Sequence, residues 1–463
     1  MNWLVIGLAI VLGLIFLTQV RSGWRSVMLI MIPVGFLQEP IRKLIAGQPV
    51  VMQLWAVAVF GIAMLMAMAN FGKPTLQPLS GDRRRTRTLL TFFIGLTLLQ
   101  ALHSLVRSGT PMVPIIGILS YLLPIPALWV AYVYVRTTMD IRRFLKLYAL
   151  TASVTTLSVI LSFKGVADPV FQQVGDSPMV VYHQLVGVVE LYCGFLRSPE
   201  VAAWHAAAAV CAAVTIAISF KDSFFRVLAP AIALSGFFTV MLTGRRKALA
   251  IMALYAIFYT CGLLLAKRRS AKSAAFAGLA VGLALVGGSL AMAPESSEPN
   301  PHLERSATAF DDSWERFEQL GIGSITSAYR TGGIIGLGTG AGAQGTQHIA
   351  GTTIQYSAEG GLGRIMLELG VLGLLLGTLC SVAVFGTVRR CMRDAYHNSD
   401  QLYKLELGII AFVGANVPVF IGAAQVFGDP FVLMILGMNL GFVLAVPRII
   451  KLQDSHRQRL VIR

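Results

Sequence analysis

The feature that most constrains this chain is a long succession of apolar runs, each roughly 17 to 24 residues, the length that crosses a bilayer as an α-helix. The 463-residue chain is 56% hydrophobic and only 13% charged, with a mean hydropathy of +0.71. Soluble domains of this size do not have such a composition. The short alternating segments of a membrane β-barrel are missing from the sequence. We therefore predict an all-α polytopic membrane protein of about 12 to 13 transmembrane helices, with one large extracytoplasmic loop.

The apolar runs give about 13 candidate spans, of which the second is weak. Met1 is not followed by a basic stretch, so we expect the first run to be a retained helix rather than a signal peptide. We expect Pro114, Pro124 and Pro126 to break the fifth run. The predicted spans lie near 3–20, 27–45, 50–69, 89–106, 112–135, 147–163, 201–219, 227–243, 248–265, 274–293, 362–387, 405–426 and 430–447.

Basic residues cluster in short loops, and these clusters set the predicted orientation. Most of the basic residues behind the net charge of +16 lie in these clusters, so the charge reflects topology and contact with anionic lipids. We therefore predict no nucleic-acid partner. With the clusters in the cytoplasm, the amino terminus lies outside and the carboxy terminus inside. The clusters are Arg83, Arg84, Arg85 and Arg87; Arg136, Arg142, Arg143 and Lys146; Lys221 and Arg226; Lys267, Arg268, Arg269 and Lys272; Arg389, Arg390, Arg393 and Lys404; and Arg448, Lys451, Arg457, Arg459 and Arg463.

The same orientation places two longer loops outside, and the later one is acidic. Its acids are Glu295, Glu298, Glu304, Asp311, Asp312, Glu315, Glu318 and Glu359, against the basic residues Arg305, Arg316 and Arg330. This reversal of sign supports the orientation. The predicted domains are a transmembrane region over 1–293 with about 10 spans and an outer loop near 164–200, the large extracytoplasmic loop over 294–361, carboxy-terminal transmembrane helices over 362–447, and a basic cytoplasmic tail over 448–463.

One cluster, formed by Arg245, Arg246 and Lys247, breaks this orientation. It lies in a tight turn at the predicted outer ends of two spans. Cations in that position need a partner, and an anion such as a diphosphate supplies one. The sequence therefore predicts a diphosphate site at this turn.

The large outer loop carries a short helical pattern. Phe310, Trp314 and Phe317 recur at helical spacing. We predict a short amphipathic helix at the membrane surface, with Arg316 as a candidate additional substrate contact.

A glycine-rich segment follows Arg330 in the same loop, with glycines at every second position from Gly336 to Gly342. Residues without a side chain let backbone N–H groups approach an anion or a sugar closely. A flexible loop has the same composition, so both interpretations stay open. The segment is not a nucleotide-binding fingerprint, because no strand precedes it.

Two glutamates mark the end of this loop and the start of the next span. Glu359 lies at the predicted outer boundary, and Glu368 lies at hydrocarbon depth, where a carboxylate is either paired or functional. Arg364 is four residues before Glu368 on the same helical face, so we expect the two to pair. Arg364 is also a candidate additional substrate contact.

The earlier outer loop contains an apolar stretch from Met179 to Phe195. His183 and Glu190 are seven residues apart in it, which puts them on one face of a helix. We predict a re-entrant or interfacial segment, with His183 as a further candidate substrate contact.

These motifs resemble the O-antigen ligase and polymerase superfamily, bacterial membrane glycosyltransferases of the GT-C class. The turn from Leu242 to Leu249 is similar to the family's Thr-Gly-Ser-Arg-Gly-Ala-Leu turn. The family's arginine falls on Arg246, with Arg245 in the serine position and Lys247 in the glycine position. The single large outer loop late in the chain is the second likeness.

The spacing at the end of that loop is the third likeness. Ligases of the family show His-Asn, then nine residues, then Gly-x-x-Gly. Here Gly370 and Gly373 match the glycines, while Glu359 and Gly360 occupy the His-Asn positions. This departure favours a polymerase-type member.

The resemblance implies a GT-C-like fold and a donor glycan on undecaprenyl diphosphate at the outer face of the bacterial inner membrane. An acceptor sugar hydroxyl attacks the anomeric carbon and the lipid diphosphate leaves. Arg246 is the first candidate for binding the diphosphate, with Arg245 or Lys247 in support and Arg330 closing from the loop.

The attacking hydroxyl calls for a general base, although a strong one is not required when the leaving group is a diphosphate. Glu359 is the positional candidate and His348 is the alternative within the loop. Arg330 completes the candidate catalytic set. We expect no cofactor and no metal, since helix capping explains the acidic pair Asp311 and Asp312, and the scattered cysteines have no metal-binding spacing.

Three other functions stay open. One is an O-antigen ligase or protein O-oligosaccharyltransferase, one is a lipid-linked oligosaccharide flippase or other transporter, and one is a non-catalytic scaffold. A transporter more often shows paired halves and charge at the membrane midplane, and neither is apparent here. The expected partners are the lipid-linked oligosaccharide, membrane lipids, and a flippase and a chain-length regulator of the same pathway.

Overall fold

The structure is a computed structural model that describes residues 18–80, 84–166, 169–172, 174, 179–183, 187–220, 222–266, 317–343 and 359–461. Most of these residues are helical. The α-helices are α1 (Trp24–Leu44), α2 (Trp55–Phe71), α3 (Gln77–Ser80), α4 (Arg84–Ser108), α5 (Met112–Leu122), α6 (Pro124–Tyr134), α7 (Thr138–Phe163), α8 (Pro199–Phe220), α9 (Ser223–Leu242), α10 (Arg246–Leu265), α11 (Ser324–Gly332), α12 (Gly361–Asn398), α13 (Asp400–Gly422), α14 (Pro430–Leu444) and α15 (Val446–Val461).

Shorter elements connect these helices. They are 3₁₀ turns at Val50–Leu54, Pro169–Phe171 and Gln425–Gly428, a π-helical turn at Phe317–Gly323, and an antiparallel hairpin of β1 (Val180–His183) and β2 (Gly187–Glu190). Of the predicted amphipathic helix in the large loop, Phe310 to Arg316 lie outside the described residues.

Eight helices in the described part of the chain are long and apolar enough to cross a membrane, or up to 10 if each bent helix pair is one span. The prediction of an all-α, multi-pass membrane protein is confirmed at that level. The helix α1, at the weak second run, is not among the eight. The runs near 3–20 and 274–293 fall outside the described ranges except for residues 18–20, so the count of 12 to 13 stays a prediction.

The fifth apolar run is broken, as its prolines predict. The helices α5 and α6 meet at Leu123 with a bend of 42°, and Pro124 is the first residue of the second helix. Proline lacks the N–H that would continue the helical hydrogen bonds.

The described helices form two compact units. Unit 1 comprises the described residues within Met1–Lys73, Thr137–Ala309 and Leu407–Phe412. Its central helix is the alanine-rich α8, which α7, α9 and α10 contact, while α1 packs against α2 and α7. Gly236 of α9 faces α8, where an added Cβ would lie 2.6 Å from Cγ2 of Val210. Small residues let helix backbones approach closely in a membrane.

Unit 1 has two distinct ends, because α7 to α10 are joined in antiparallel succession. We call one the Asp222 end, where Arg25 pairs with Asp140 at 2.8 Å and Arg142 pairs with Asp222. The hydrogen bond from Arg142 lowers the pKa of Asp222 below its usual 3.8. The other is the hairpin end, which carries the β-hairpin, the carboxy terminus of α1, the start of α8 and the turn between α9 and α10.

The hairpin corrects the prediction of a helical segment from Met179 to Phe195. His183 pairs with Gly187 and Glu190 pairs with Val180, so the two candidate residues lie on opposite strands. Valines dominate both strands, and β-branched residues favour strands over helices. The seven-residue spacing therefore did not place His183 and Glu190 on one helical face.

Unit 2 comprises the described residues within Pro74–Arg136, Phe310–Glu406 and Val413–Arg463. Its longest helix, α12, has 38 residues and a break at Gly370, which has φ of 70°. The helices α4 and α11 pack against α12, and α14 packs against α6. The glycine-rich segment after α11 lies against the break.

Candidate anion site

Thr243 and Gly244 form the tight turn that presents the three predicted cations. Thr243 is fully buried, and its hydroxyl donates to the carbonyl of Val240 at 2.6 Å. Gly244 has φ of 61°, a conformation that glycine adopts without steric cost. The chain reverses here, so Arg245 becomes the residue that precedes α10, and Arg246 becomes its first residue.

The position of this cluster at the start of a helix has an electrostatic consequence. The first N–H groups of a helix point outward and carry partial positive charge. Arg246 and Lys247 open α10, and both side chains are partly exposed. Cations at this end oppose the helix dipole, whereas an anion here is stabilised by the dipole and the cations together. The turn therefore favours an anion.

Arg245 has a specific partner within unit 1. Its Nη2 lies 2.8 Å from Oε1 of Glu200, in the first turn of α8. The same nitrogen contacts Sδ of Met179, just before the hairpin. Burial lowers the pKa of the Arg245 guanidinium below its usual range, and the Glu200 carboxylate opposes that change. Arginine stays charged at neutral pH in either case.

The hairpin end carries further cations that the sequence analysis did not single out. Arg42 lies 3.6 Å from the carboxylate of Glu39 and donates from Nε to the carbonyl of Gln48 at 2.9 Å. Arg197 donates to Oε1 of Gln53 at 3.1 Å. The cluster at 245–247 is therefore not the sole group of cations at this end. It differs from the others in that two of its members, Arg246 and Lys247, are the first residues of a helix.

Lys43 connects the end of α1 to the loop near 164–200. Its Nζ donates to the carbonyls of Gly194 and Leu196, both at 2.7 Å, and of Val170 at 3.1 Å. Burial raises the pKa of the nearby Cys193 thiol, so this cysteine stays uncharged beside the ammonium. These contacts hold the loop that leads into Glu200.

The residues that follow the hairpin contact the end of α9, just before the turn. The N–H of Tyr192 donates to the carbonyl of Leu242 at 3.4 Å. The N–H of Leu191 donates to the carbonyl of Met179 at 3.0 Å. The Tyr192 hydroxyl donates to Oε2 of Glu190 at 3.3 Å. A phenol and a carboxylate therefore stand close to the cation turn. The side chain of His183 lies outside the described part of the structure.

A second charged cluster lies in unit 2, around the fully buried Glu368. Its Oε1 accepts from Nε of Arg364 at 3.0 Å and from the N–H of Gly342 at 3.1 Å, while Oε2 accepts from the N–H of Gly340 at 2.8 Å. Nη2 of Arg364 donates to Oγ of Ser120 at 3.0 Å. The predicted pair of Arg364 and Glu368 is confirmed.

The glycine-rich segment is bound to its surroundings along its length. The N–H of Leu337 donates to the carbonyl of Leu367 at 2.7 Å. The N–H of Val371, beyond the break in α12, donates to the carbonyl of Ile334 at 3.0 Å. Nε2 of Gln100 in α4 donates to the carbonyl of Ile335 at 2.7 Å. The segment does bring N–H groups to an anion, as its composition predicts, and that anion is the protein's own Glu368.

Two of the remaining predicted residues, Arg330 and Glu359, belong to unit 2. Arg330 lies in the last turn of α11 and is exposed. Glu359 is exposed, and its carbonyl accepts from the N–H of Ala424 at 2.6 Å. His348 and Arg316 lie outside the described residues. Among the residues that are described, no group of three His, Cys, Asp or Glu side chains is arranged to hold a metal ion.

No protein-family model matches this chain, and no curated protein matches it in sequence.

Proposed function

We propose that the protein is a membrane glycosyltransferase with a GT-C-like fold. It polymerises oligosaccharide repeat units linked to undecaprenyl diphosphate at the outer face of the bacterial cytoplasmic membrane. The observation that carries this proposal is the turn before α10, where Arg245, Arg246 and Lys247 meet the start of a membrane helix.

The electrostatics of the turn suit a lipid diphosphate. A phosphate at a helix start accepts hydrogen bonds from exposed N–H groups, and guanidinium groups bind phosphate oxygens with a fixed fork geometry. A lipid-linked diphosphate lies at the boundary between apolar helices and water, which is where α9 ends and α10 begins. Arg246 is our first candidate for contact, with Lys247 beside it.

The reaction moves one glycan from the lipid to an acceptor. A bond forms between the acceptor hydroxyl oxygen and the anomeric carbon, and the bond from that carbon to the diphosphate oxygen breaks. Negative charge then grows on the diphosphate, where Arg246 stabilises it. The hydroxyl proton passes to a general base.

The test uses the full-length protein in detergent, with lipid-linked oligosaccharides isolated from a host strain that lacks the gene. The wild-type protein should produce a ladder of lengthened lipid-linked glycans, read by mass spectrometry, without nucleotide or added metal. Arg246→Ala should slow elongation about 100- to 1,000-fold, the usual effect of removing one donor that stabilises charge in the transition state.

Arg143→Ala is the matched control, because Arg143 is an exposed arginine in the same unit, at the Asp222 end. We expect it to retain the wild-type rate. Ladder synthesis by Arg246→Ala at the wild-type rate and length would contradict the diphosphate role.

Other outcomes identify the alternatives. Transfer that occurs only when lipid A core or a protein acceptor is added would replace polymerisation by ligation. Binding of the substrate without any chemistry would indicate a flippase or another transporter.

A further inference from the structure

Glu200 is a buried carboxylate at the hairpin end of unit 1, and only 9% of its surface is exposed. It lies in the first turn of α8, where the helix dipole stabilises negative charge. A buried carboxylate is costly without a charged partner, and Arg245 supplies one at 2.8 Å. The pair joins two helix starts, those of α8 and α10.

Arg245 is held by one edge of its guanidinium. Nη2 is occupied by Glu200 and contacts Met179. Its Nε is buried and has no hydrogen-bond partner in the described part of the chain. Because the guanidinium is a rigid planar fork, fixing Nη2 also fixes the direction of the remaining N–H groups. The pair with Glu200 therefore fixes the orientation of the whole guanidinium group, including the N–H groups that Glu200 does not bind.

We propose that Glu200 is a positioning residue that orients Arg245 toward the lipid diphosphate. This inference rests on the proposed function of the cation turn. Since Oε1 of Glu200 is engaged by Arg245, the carboxylate acts through the arginine and does not itself contact the substrate. Arg246 and Lys247 attract the diphosphate, and Arg245 adds a donor whose direction Glu200 sets.

The first test measures the binding of undecaprenyl diphosphate to the full-length protein in detergent, by thermophoresis, together with KM and kcat for the lipid-linked donor. Glu200→Gln keeps the size of the side chain and removes its charge. We expect it to raise both Kd and KM about tenfold, which is the loss of one charge-assisted hydrogen bond. Glu200→Asp keeps the charge and should recover part of the affinity.

Competition with inorganic pyrophosphate and with undecaprenyl monophosphate shows which part of the ligand the site recognises. Competition by pyrophosphate alone would assign the site to a free diphosphate. Preference for undecaprenyl diphosphate over both would assign it to the lipid-linked form, which is the expected result.

Asp222→Asn is the matched control for fold stability, because Asp222 pairs with Arg142 at the opposite end of α9. It should lower the melting temperature without changing Kd. The double variant Glu200→Arg with Arg245→Glu rebuilds the pair with reversed charges. It should regain the melting temperature lost in Glu200→Gln but not the affinity.

The positioning role would be overturned if Glu200→Gln lowered the melting temperature, as Asp222→Asn does, yet left Kd and KM unchanged. Should Glu200→Gln fail to fold, Glu200→Asp takes its place. A KM above the wild-type value would then support the positioning role, and an unchanged KM would overturn it. The two proposals fail in different ways. Normal elongation by Arg246→Ala contradicts the proposed function, whereas slow elongation by Arg246→Ala with unchanged affinity in Glu200→Gln contradicts the positioning role alone.

Discussion

At the scale of single residues, the buried Glu368 shows how a carboxylate is accommodated within a membrane-spanning helix. It is fully buried and accepts from Arg364 and from two backbone N–H groups of the glycine-rich segment. Each partner is itself fixed, Arg364 by Ser120 and the N–H groups by the loop they belong to. The carboxylate therefore joins α12 to the glycine-rich segment.

Glu368→Ala should lower the stability of the protein by about 3–5 kcal/mol, because it leaves the buried Arg364 without its counter-charge. Glu368→Gln should cost less, since the amide oxygen still accepts one hydrogen bond. The measurement is thermal melting in detergent. Leu372→Ala serves as the control, because that side chain is 52% exposed on the same helix. A Glu368→Ala protein that melts with the control would show that the cluster contributes nothing to folding.

The sequence predicted one half of this cluster and none of the pair between Glu200 and Arg245. Arg364 and Glu368 are four residues apart, so helical periodicity alone brings them together. The N–H groups of Gly340 and Gly342 come from another part of the chain, and no local rule relates them to Glu368. Glu200 had a usable signal, as an acid in the first turn of a span beside an outer loop. The rule that predicts orientation from Lys and Arg takes no account of an acidic residue such as Glu200.

At the scale of elements, the glycine-rich segment is an ordered strap between helices, which its composition alone did not distinguish from a flexible loop. Gly336, Gly338 and Gly340 all have positive φ. They also lie where a side chain does not fit, since an added Cβ at Gly338 would be 2.7 Å from Cβ of Ser104 in α4. Alternating glycines here satisfy both backbone conformation and close packing.

Substitutions within this segment should separate those two requirements. Gly333 has φ of +64° and no atom within 4 Å of an added Cβ, so Gly333→Ala tests conformation alone and should cost about 1–3 kcal/mol. Gly338→Ala adds the clash with Ser104 and should cost about a further 1–3 kcal/mol. Both are measured by melting in detergent. Equal destabilisation of the two variants would mean that the strap is not closely packed against α4.

The hairpin is the element where the sequence interpretation failed. Met179 to Phe195 is mostly apolar, and a short apolar run does not reveal its period. Paired valines such as Val181 and Val189 favour strands, and Gly187 at φ of 73° favours a turn, whereas the spacing of His183 and Glu190 favours a helix. Residue type was the better guide in this loop.

At the scale of the whole molecule, each unit is assembled from separate stretches of chain. Hydropathy located the spans that the structure describes, because the length of an apolar run is a local property. It carried no information on which spans belong to the same unit. That grouping depends on contacts such as those of α8 with α10, which are set by shape and small residues.

The predicted orientation places the hairpin end of unit 1 outside the cell and the Asp222 end inside. Tyr182 is 73% exposed on the hairpin, and Arg143 is exposed at the opposite end. In intact spheroplasts, a membrane-impermeant maleimide should label Tyr182→Cys and should label Arg143→Cys only after permeabilisation. The wild-type chain, with its own five cysteines, sets the background. Labelling with the opposite preference would place the cation turn in the cytoplasm and remove it from the lipid-linked donor.

The contact between Gln100 and Ile335 has a consequence for the order of events during biosynthesis. The two residues are 235 positions apart in the chain. At a synthesis rate of about 5–20 residues per second, α4 emerges roughly 12–47 s before the carbonyl that its buried amide donates to. During that interval Gln100 and the backbone facing the future strap lack their final partners. Unit 2 therefore closes late in translation, and for about half of the synthesis time the Gln100 side chain lies in its helix without its final partner.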